Sequence, residues 1–116
     1  MKTILFVQNN WITFKMATHF LKKSYNVKHA NNCQVGLEKI ITHQPNLIVL
    51  ELNLPDVGFQ TLIEDYPKQI RKLTLVPLIA LSPMPWKHLQ EHHGFNGHIN
   101  KPINPQELIR TIARFT

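Results

Sequence analysis

Short apolar runs alternate with stretches of helical periodicity along the whole chain, and this alternation restricts the fold more than any other feature of the sequence. The first run, residues 4–7 (ILFV), predicts a buried strand that ends near Gln8. Residues 10–23 then predict a helix, for which Asn9 or Asn10 is a natural N-cap because its side-chain oxygen can accept from the free amides of the first turn. The predicted buried face of this helix carries Ile12, Met16, Phe20 and Leu21.

The same strand-then-helix pattern recurs four more times. The further predicted strands are residues 25–28, 47–50, 76–81 and 97–99, and the further predicted helices are residues 34–43, 59–66, 86–93 and 105–115. The last helix is expected to bury Leu108, Ile109 and Ile112 and to expose Arg110. Five strands alternating with five helices predict a doubly wound α/β fold, because right-handed crossovers leave few other topologies. Ligands of such folds bind at the carboxyl ends of the strands.

The composition allows one compact domain, which we expect to span residues 1–116. A content of 43% apolar residues is enough for one packed core. Cys33 is the only cysteine, which excludes a disulfide framework and fits a reducing compartment, so we expect a cytoplasmic protein. The run at residues 4–7 is too short for a signal peptide or a membrane span, so no membrane anchor is expected. The net charge of +6 favours acidic partners without choosing among proteins, nucleic acid and anionic lipid.

The polar residues at the predicted strand ends, taken with the order of the elements, resemble a known family. Those residues are Gln8, Asn9, Asn10, Glu51, Ser82, Lys101 and Pro102. The most specific segments are residues 46–55 (NLIVLELNLP), 76–82 (VPLIALS) and 94–103 (GFNGHINKPI). Over essentially its whole length the chain is similar to the receiver domain of response regulators, the CheY-like family. The resemblance implies a flavodoxin-like, five-stranded parallel sheet with strand order 2-1-3-4-5.

In that family a strand-end aspartate is phosphorylated, and two acidic residues after the first strand help to hold magnesium. A serine or threonine and a lysine contact the phosphoryl group, and Ser82 and Lys101 match these two positions. The bond from Lys101 to Pro102 resembles one that the family usually holds in cis. An aromatic residue on the last strand reports the switch between states.

Four positions depart from the family pattern, and all of them concern its chemistry. Gln8 and Asn9 stand where the acidic pair is expected, Glu51 stands at the phosphoacceptor position, and His98 stands at the aromatic switch position. Magnesium prefers carboxylates, phosphate and water, so two neutral amides remove most of the attraction, and we expect magnesium binding to be lost or very weak, with no other cofactor. Phosphoryl transfer without the metal loses its main electrostatic stabiliser.

Glu51 keeps a carboxylate but differs from aspartate by one methylene. The extra carbon moves the oxygens by about an ångström, a misplacement that can cost ~100-fold in rate, so we expect neither phosphorylation at Glu51 nor catalysis of any kind. One hypothesis is that Glu51 pairs with Lys101 and accepts a hydrogen bond from Ser82, which would hold a single state permanently. The alternative is a solvated strand-end acid in a decayed pocket. His98 is either a rotameric or titrating switch or a passive, partly buried side chain.

Two further candidates carry less weight. His88, His92 and His93 include a pair at i and i+4 on a predicted helix, a spacing that suits a metal, but Glu91 is the only additional ligand nearby. Asp56 is the only aspartate near the strand ends and is an alternative phosphoacceptor, although its loop position favours a solvated turn residue.

The function predicted from these residues is that of a pseudo-receiver, which transmits signals through protein contact without phosphorylation. The surface expected for contact comprises the helix containing Trp86, the last strand and the final helix with Arg110. Its partner would be a sensor kinase, another regulator or a second copy, which would make a homodimer. Trp86 is either an exposed interface anchor or a core residue. The alternatives are a genuine phosphoacceptor with a non-standard site and a basic nucleic-acid-binding module. The basic residues considered for the latter are spread over three elements and lack interleaved aromatics; they are Lys22, Lys23, Lys68, Arg71, Lys72, Arg110 and Arg114.

Overall fold

The computed structural model describes residues 1–90 and 94–116. In this part of the chain five strands alternate with five helices: β1 (Thr3–Val7), α1 (Trp11–Leu21), β2 (Asn26–Ala30), α2 (Cys33–His43), β3 (Leu47–Glu51), α3 (Phe59–Leu73), β4 (Leu78–Ser82), α4 (Trp86–Leu89), β5 (Gly97–Asn100) and α5 (Pro105–Phe115). All strands are parallel, in the order β2-β1-β3-β4-β5. The predicted fold class and strand order are therefore confirmed.

The three central strands have buried residues on both faces of the sheet, as the continuous apolar runs predict. Side chains alternate between the faces, so Leu5 and Ile48 enter one core cluster, whereas Ile4 and Leu47 enter the other. The first cluster is covered by α2, α3 and α4, and the second by α1 and α5. The sheet therefore separates two cores, and the loops at its carboxyl edge remain accessible.

The buried face of α1 differs from the predicted one. Leu21 is buried as predicted, but Ile12 and Phe20 are 80% and 40% exposed, and Ala17 is fully buried instead. The contact face is rotated by about a third of a turn from the prediction, at 100° per residue. Ala17 lies on that face, and the larger side chains of Ile12 and Phe20 are left on the outside. Asn10 is the N-cap, accepting from Thr13 N–H.

Helix α3 continues to Leu73 instead of ending near Tyr66, although Pro67 lies inside it. Proline removes one helical hydrogen bond, yet Tyr66, Pro67 and Ile70 are all buried and their packing offsets this loss. The hydroxyl of Tyr66 also donates to the Cys33 carbonyl at 2.7 Å, which ties α3 to α2.

The prediction for α5 is confirmed at both ends, with Leu108 and Ile112 fully buried and Arg110 exposed, but Ile109 is 43% exposed and lies at the margin of the buried stripe. Helix α4 is described from Trp86 to Leu89, and its predicted continuation through Glu91, His92 and His93 lies outside the described residues. None of the described helices is long and apolar enough to cross a membrane.

Candidate functional site at the carboxyl ends of the strands

The parallel register gathers the predicted site residues at one edge of the sheet. Val7 is level with Leu50, so Gln8 follows at the same height as Glu51. Ser82 is level with Asn100, and Lys101 follows directly. Residues that lie up to 93 positions apart in the sequence therefore surround one small region.

Glu51 is the central group of this region and is only 3% exposed. One carboxylate oxygen, Oε2, accepts from Nζ of Lys101, and the other, Oε1, accepts from the backbone N–H of Asn9 at 3.2 Å. The Lys101 side chain keeps 27% of its surface exposed, so water reaches the ammonium side of the pair but hardly reaches the carboxylate. Both carboxylate oxygens are thus engaged, as a buried charge requires.

Ser82 is buried, but it does not extend this pair. Its Oγ accepts from the Met84 N–H at 3.0 Å, and no hydrogen bond to Glu51 is found among the described residues. The backbone carbonyl of Ser82 accepts from the Lys101 N–H at 3.2 Å and lies 3.0 Å from Nε2 of His98, which must carry a proton to donate to it. The expected ion pair between Glu51 and Lys101 is therefore present, whereas the expected contribution of Ser82 is absent.

Gln8 and Asn9 differ in their environments. The Gln8 side chain is fully buried and its Nε2 donates to the Asn10 carbonyl at 3.1 Å, while its Oε1 has no hydrogen-bond partner among the described residues. Asn9 is exposed and contacts Glu51 through its backbone only. His29 on β2 anchors this segment, because its Nε2 donates to the Gln8 carbonyl at 2.8 Å.

This set of donors does not fit magnesium. Magnesium sites in proteins usually contain one or two free carboxylates with water and phosphate oxygens. Here the carboxylate of Glu51 is neutralised by Lys101, and Gln8 and Asn9 contribute neutral amides. Among residues 1–90 and 94–116, no group of three or more histidine, cysteine, aspartate or glutamate side chains is arranged to hold a metal ion. Of the three histidines with metal-compatible spacing, His88, His92 and His93, the last two lie outside these ranges.

Trp86 and His98 lie next to each other on the flank of the site. Their rings are nearly parallel, at 12°, with centroids 6.1 Å apart. Together with Arg114 and Phe115 they line an open cavity of about 310 Å³ between α4, β5 and α5. Trp86 is half-buried, so it contacts the core and also presents a surface. Arg110 is exposed on α5, outside the residues that line this cavity.

Asp56 has a role that the sequence did not reveal. Its carboxylate accepts from the backbone N–H groups of Cys33 and Gln34 at 3.0 and 3.2 Å, in the first turn of α2. Desolvation alone would raise the pKa of Asp56, but these hydrogen bonds outweigh it and lower the pKa below its ordinary value. Asp56 is thus an exposed turn residue, as predicted, and its carboxylate also binds the start of α2. No local pattern shows this, because 23 residues separate Asp56 from Cys33.

The Cys33 thiol at the same place is buried. Burial, followed by the nearby Asp56 charge, raises the pKa of Cys33 to about 12. A thiol with such a pKa is protonated and unreactive at neutral pH.

Comparisons with known proteins find similarity along the whole chain. No family model matches the sequence. The chain is 26% identical over 119 residues to the polar-differentiation response regulator DivK of Brucella anthropi, covering 98% of this chain and 95% of the relative.

Solved structures give the same result for the fold. A two-component response regulator from Clostridium difficile superposes with a TM-score of 0.85 at 24% identity, covering 99% of this chain and 95% of that one. The Vibrio cholerae chemotaxis protein CheY4 superposes with a TM-score of 0.83 at 22% identity, covering 100% and 99%. The predicted CheY-like fold is therefore confirmed, and the chain is similar in sequence to a response regulator over 98% of its residues.

Proposed function

We propose that this CheY-like receiver domain of the response-regulator kind acts in two-component signal transduction through contact with a protein partner, without phosphoryl transfer. The observation that carries the proposal is the pair of Glu51 and Lys101, in which a carboxylate only 3% exposed has both oxygens occupied. The group at the phosphoacceptor position and the lysine at the phosphoryl-contact position are bound to each other.

Phosphorylation would require a free, well-placed nucleophile and a stabiliser of negative charge. An attacking oxygen of Glu51 would first have to leave either Lys101 or the Asn9 N–H. Lys101 would then have to leave the carboxylate to serve the incoming phosphate. Gln8 and Asn9 offer no carboxylate to recruit a metal, so the charge of the transferred group would remain uncompensated.

The pair of Glu51 and Lys101 joins the ends of two strands. We propose that this link holds the domain in its signalling state. Glu51 ends β3, and Lys101 directly follows β5. Between them, the Ser82 carbonyl at the end of β4 is bonded to His98 and to the Lys101 backbone. We infer that this bonded edge keeps β5 and its neighbours in one arrangement, so that the domain presents one surface constitutively.

The surface proposed for the partner is formed by α4, β5 and α5. Trp86 supplies an aromatic side chain that is half-buried, as interface anchors often are, and Arg110 and Arg114 supply positive charge at the exposed side of α5. A partner with an acidic contact patch suits this surface, whether it is a sensor kinase, another regulator or a second copy. We propose that residues 1–116 act as one such contact module in the cytoplasm.

The test is incubation of the purified domain with radiolabelled acetyl phosphate, with and without magnesium. We expect incorporation into the wild type to equal that into the Glu51→Gln control. The triple variant Gln8→Asp, Asn9→Asp, Glu51→Asp, which restores the family pattern, provides the positive control. Magnesium-dependent incorporation into the wild type above the Glu51→Gln level would overturn the proposal.

A further inference from the structure

The helices on the two faces of the sheet differ in charge. On one face, α2 and α3 hold four basic and three acidic residues. On the other face, α5 and α1 with the two lysines that follow it hold one acidic residue and five basic ones, all exposed: Lys15, Lys22, Lys23, Arg110 and Arg114. The acidic residue, Glu107, is half-buried and lines the cavity beside β5. The α1 side of the domain therefore has a positive field that little negative charge offsets.

The outward side of α1 combines this charge with exposed apolar side chains. Apart from Phe20, the exposed residues recur at intervals of three and four, as residues on one side of a helix do: Trp11, Ile12, Lys15, His19, Lys22 and Lys23. The fully buried Ala17 lies on the opposite side of the helix. No carboxylate of the same segment offsets the lysines, because the first acidic residue of the chain is Glu38.

Trp11 and Ile12 form an apolar tip at the N-terminal end of this side. They are 59% and 80% exposed, although both side chains are large and apolar. The Trp11 ring is held from below, with its centroid 5.5 Å from that of Phe14 and 5.9 Å from that of His29. The tip is thus presented in a fixed position, and exposed apolar surface of this kind is typical of an interaction site.

The tip and the lysines can contact one flat surface together. Lys15 follows the tip by one helical turn, and Lys22 and Lys23 lie about 15 Å further from Ile12 along the helix axis. A plane that touches the outward side of α1 therefore meets apolar side chains at one end and ammonium groups along the rest. An anionic bilayer offers matching chemistry in one plane, because acidic headgroups lie above an apolar layer and tryptophan is favoured at their boundary.

We propose that the outward side of α1 docks on the surface of an anionic lipid bilayer. Trp11 and Ile12 enter the headgroup boundary, and the lysines at 15, 22 and 23 bind acidic headgroups. The contact is peripheral and needs no membrane-spanning helix. Helix α4 packs on the opposite face of the sheet, so the membrane-bound domain keeps Trp86 accessible to the protein partner proposed above.

Charge and surface chemistry favour a bilayer over other occupants. A second copy docked face to face would bring two sets of lysines together, so a symmetric dimer is disfavoured here. A nucleic acid would pair with the lysines and could stack a base on Trp11, but it has no apolar layer for Ile12. An acidic protein would need a recess shaped for the tip, whereas a fluid bilayer accepts it without a matching shape.

The first test is cosedimentation of the full chain with phosphatidylcholine vesicles that contain about 30% phosphatidylserine, compared with pure phosphatidylcholine vesicles. We expect binding to the anionic vesicles only, and an affinity that falls at least about tenfold in the double variant Lys15→Glu, Lys22→Glu. The matched control Lys68→Glu, Lys72→Glu makes the same change of net charge on two exposed lysines of α3 and is expected to lose less than about threefold.

A second pair of variants tests the apolar tip. Ile12→Ser is expected to lose about fivefold in affinity, because the isoleucine no longer leaves water on binding. The matched control Ile41→Ser removes an exposed isoleucine of α2 and is expected to bind like the wild type. Far-UV circular dichroism of each variant distinguishes a loss of binding from a loss of fold.

Tryptophan fluorescence reports on the tip directly, because the chain has only two tryptophans, Trp11 and Trp86. In the Trp86→Phe variant, we expect the emission of Trp11 to move to shorter wavelength on anionic vesicles, since its ring leaves water for the lipid boundary. In the Trp11→Phe variant, the emission of Trp86 is expected to stay unchanged.

The proposal is wrong if neutral and anionic vesicles bind equally, or if the Lys15→Glu, Lys22→Glu variant loses no more affinity than its α3 control. It is also wrong if Ile12→Ser binds like the wild type and the Trp11 emission does not shift. Absence of vesicle binding at about 1 mM lipid would overturn it as well, including when an oligonucleotide or an acidic polypeptide binds through Lys15 and Lys22. None of these measurements involves phosphoryl transfer, so their outcome is independent of the proposed function.

Discussion

The pair of Glu51 and Lys101 predicts an asymmetric response to removal of either partner. The Glu51 side chain is 4% exposed, whereas the Lys101 side chain is 27% exposed. In Lys101→Met the buried carboxylate keeps only the hydrogen bond from the Asn9 N–H. In Glu51→Gln the neutral amide can still accept from Asn9, and the lysine can extend its ammonium group into water.

The expected losses in the free energy of unfolding follow from how deeply each side chain is buried. Removing one partner of a fully buried pair costs about 3–5 kcal/mol. Because water already reaches the ammonium side here, we expect a loss of about 2 kcal/mol in the free energy of unfolding for Lys101→Met. We expect a loss of less than about 1 kcal/mol for Glu51→Gln, since no charge is left buried. The loss of unfolding free energy in the double variant Lys101→Met, Glu51→Gln is expected to be about 1 kcal/mol smaller than the sum of the losses in the two single variants.

Urea unfolding of the four proteins measures these energies, provided that the slopes with denaturant agree. For a chain of this length a loss of 2 kcal/mol corresponds to a fall of about 8 °C in Tm, which calorimetry can check. Equal losses in the two single variants, with a strictly additive double variant, would refute the reasoning. The two residues would then be adjacent without stabilising each other.

Three further predictions concern single groups near the site. Burial, partly opposed by the hydrogen bond to the Gln8 carbonyl and reinforced by the charge of Lys39, lowers the pKa of His29 from 6.5, so the neutral form is favoured on folding. The contribution of neutral His29 to stability is therefore present above about pH 6.5 and is lost as the pH falls towards the lowered pKa. Between about pH 7.5 and 5.5, the His29→Gln variant should lose less free energy of unfolding than the wild type. An equal loss in the two proteins would contradict this prediction. Cys33 should resist a thiol reagent at about pH 8 in the folded protein and react after unfolding in urea, because burial raises its pKa to about 12; rapid labelling of the folded protein would oppose this. Glu51→Asp alone should not take up phosphate from acetyl phosphate in the presence of magnesium, because Gln8 and Asn9 still lack charge, and uptake by this single variant would show that the metal ligands are not needed.

The sequence was sufficient for the fold because its strongest signals are local. The apolar runs of β1, β3 and β4 predict central strands, and the parallel order brings Glu51, Ser82 and Lys101 to one edge without further information. The contact between Glu51 and Lys101 was open to prediction for the same reason, since a carboxylate and an ammonium group at adjoining strand ends are within reach of each other.

Other features depend on packing that the sequence does not encode locally. The burial of the Ala17 face of α1 instead of the Ile12 face depends on contacts with β2 and α5, which helical periodicity does not reveal. The burial of Pro67 within α3 and the hydrogen bonds from α2 to Asp56 depend on elements that meet only in the folded chain. Periodicity alone cannot distinguish these outcomes.

The most direct test of the central claim is a titration of the wild-type domain with magnesium and beryllofluoride, a mimic of the phosphoryl group, followed residue by residue by NMR. A site in which Lys101 is bound to Glu51 and no acidic pair is present should give no saturable shifts at Glu51, Ser82 or Lys101. Saturable shifts at these residues that extend to His98 would mean that the site accepts a phosphoryl group and transmits it to β5, which would contradict a mechanism of constitutive contact.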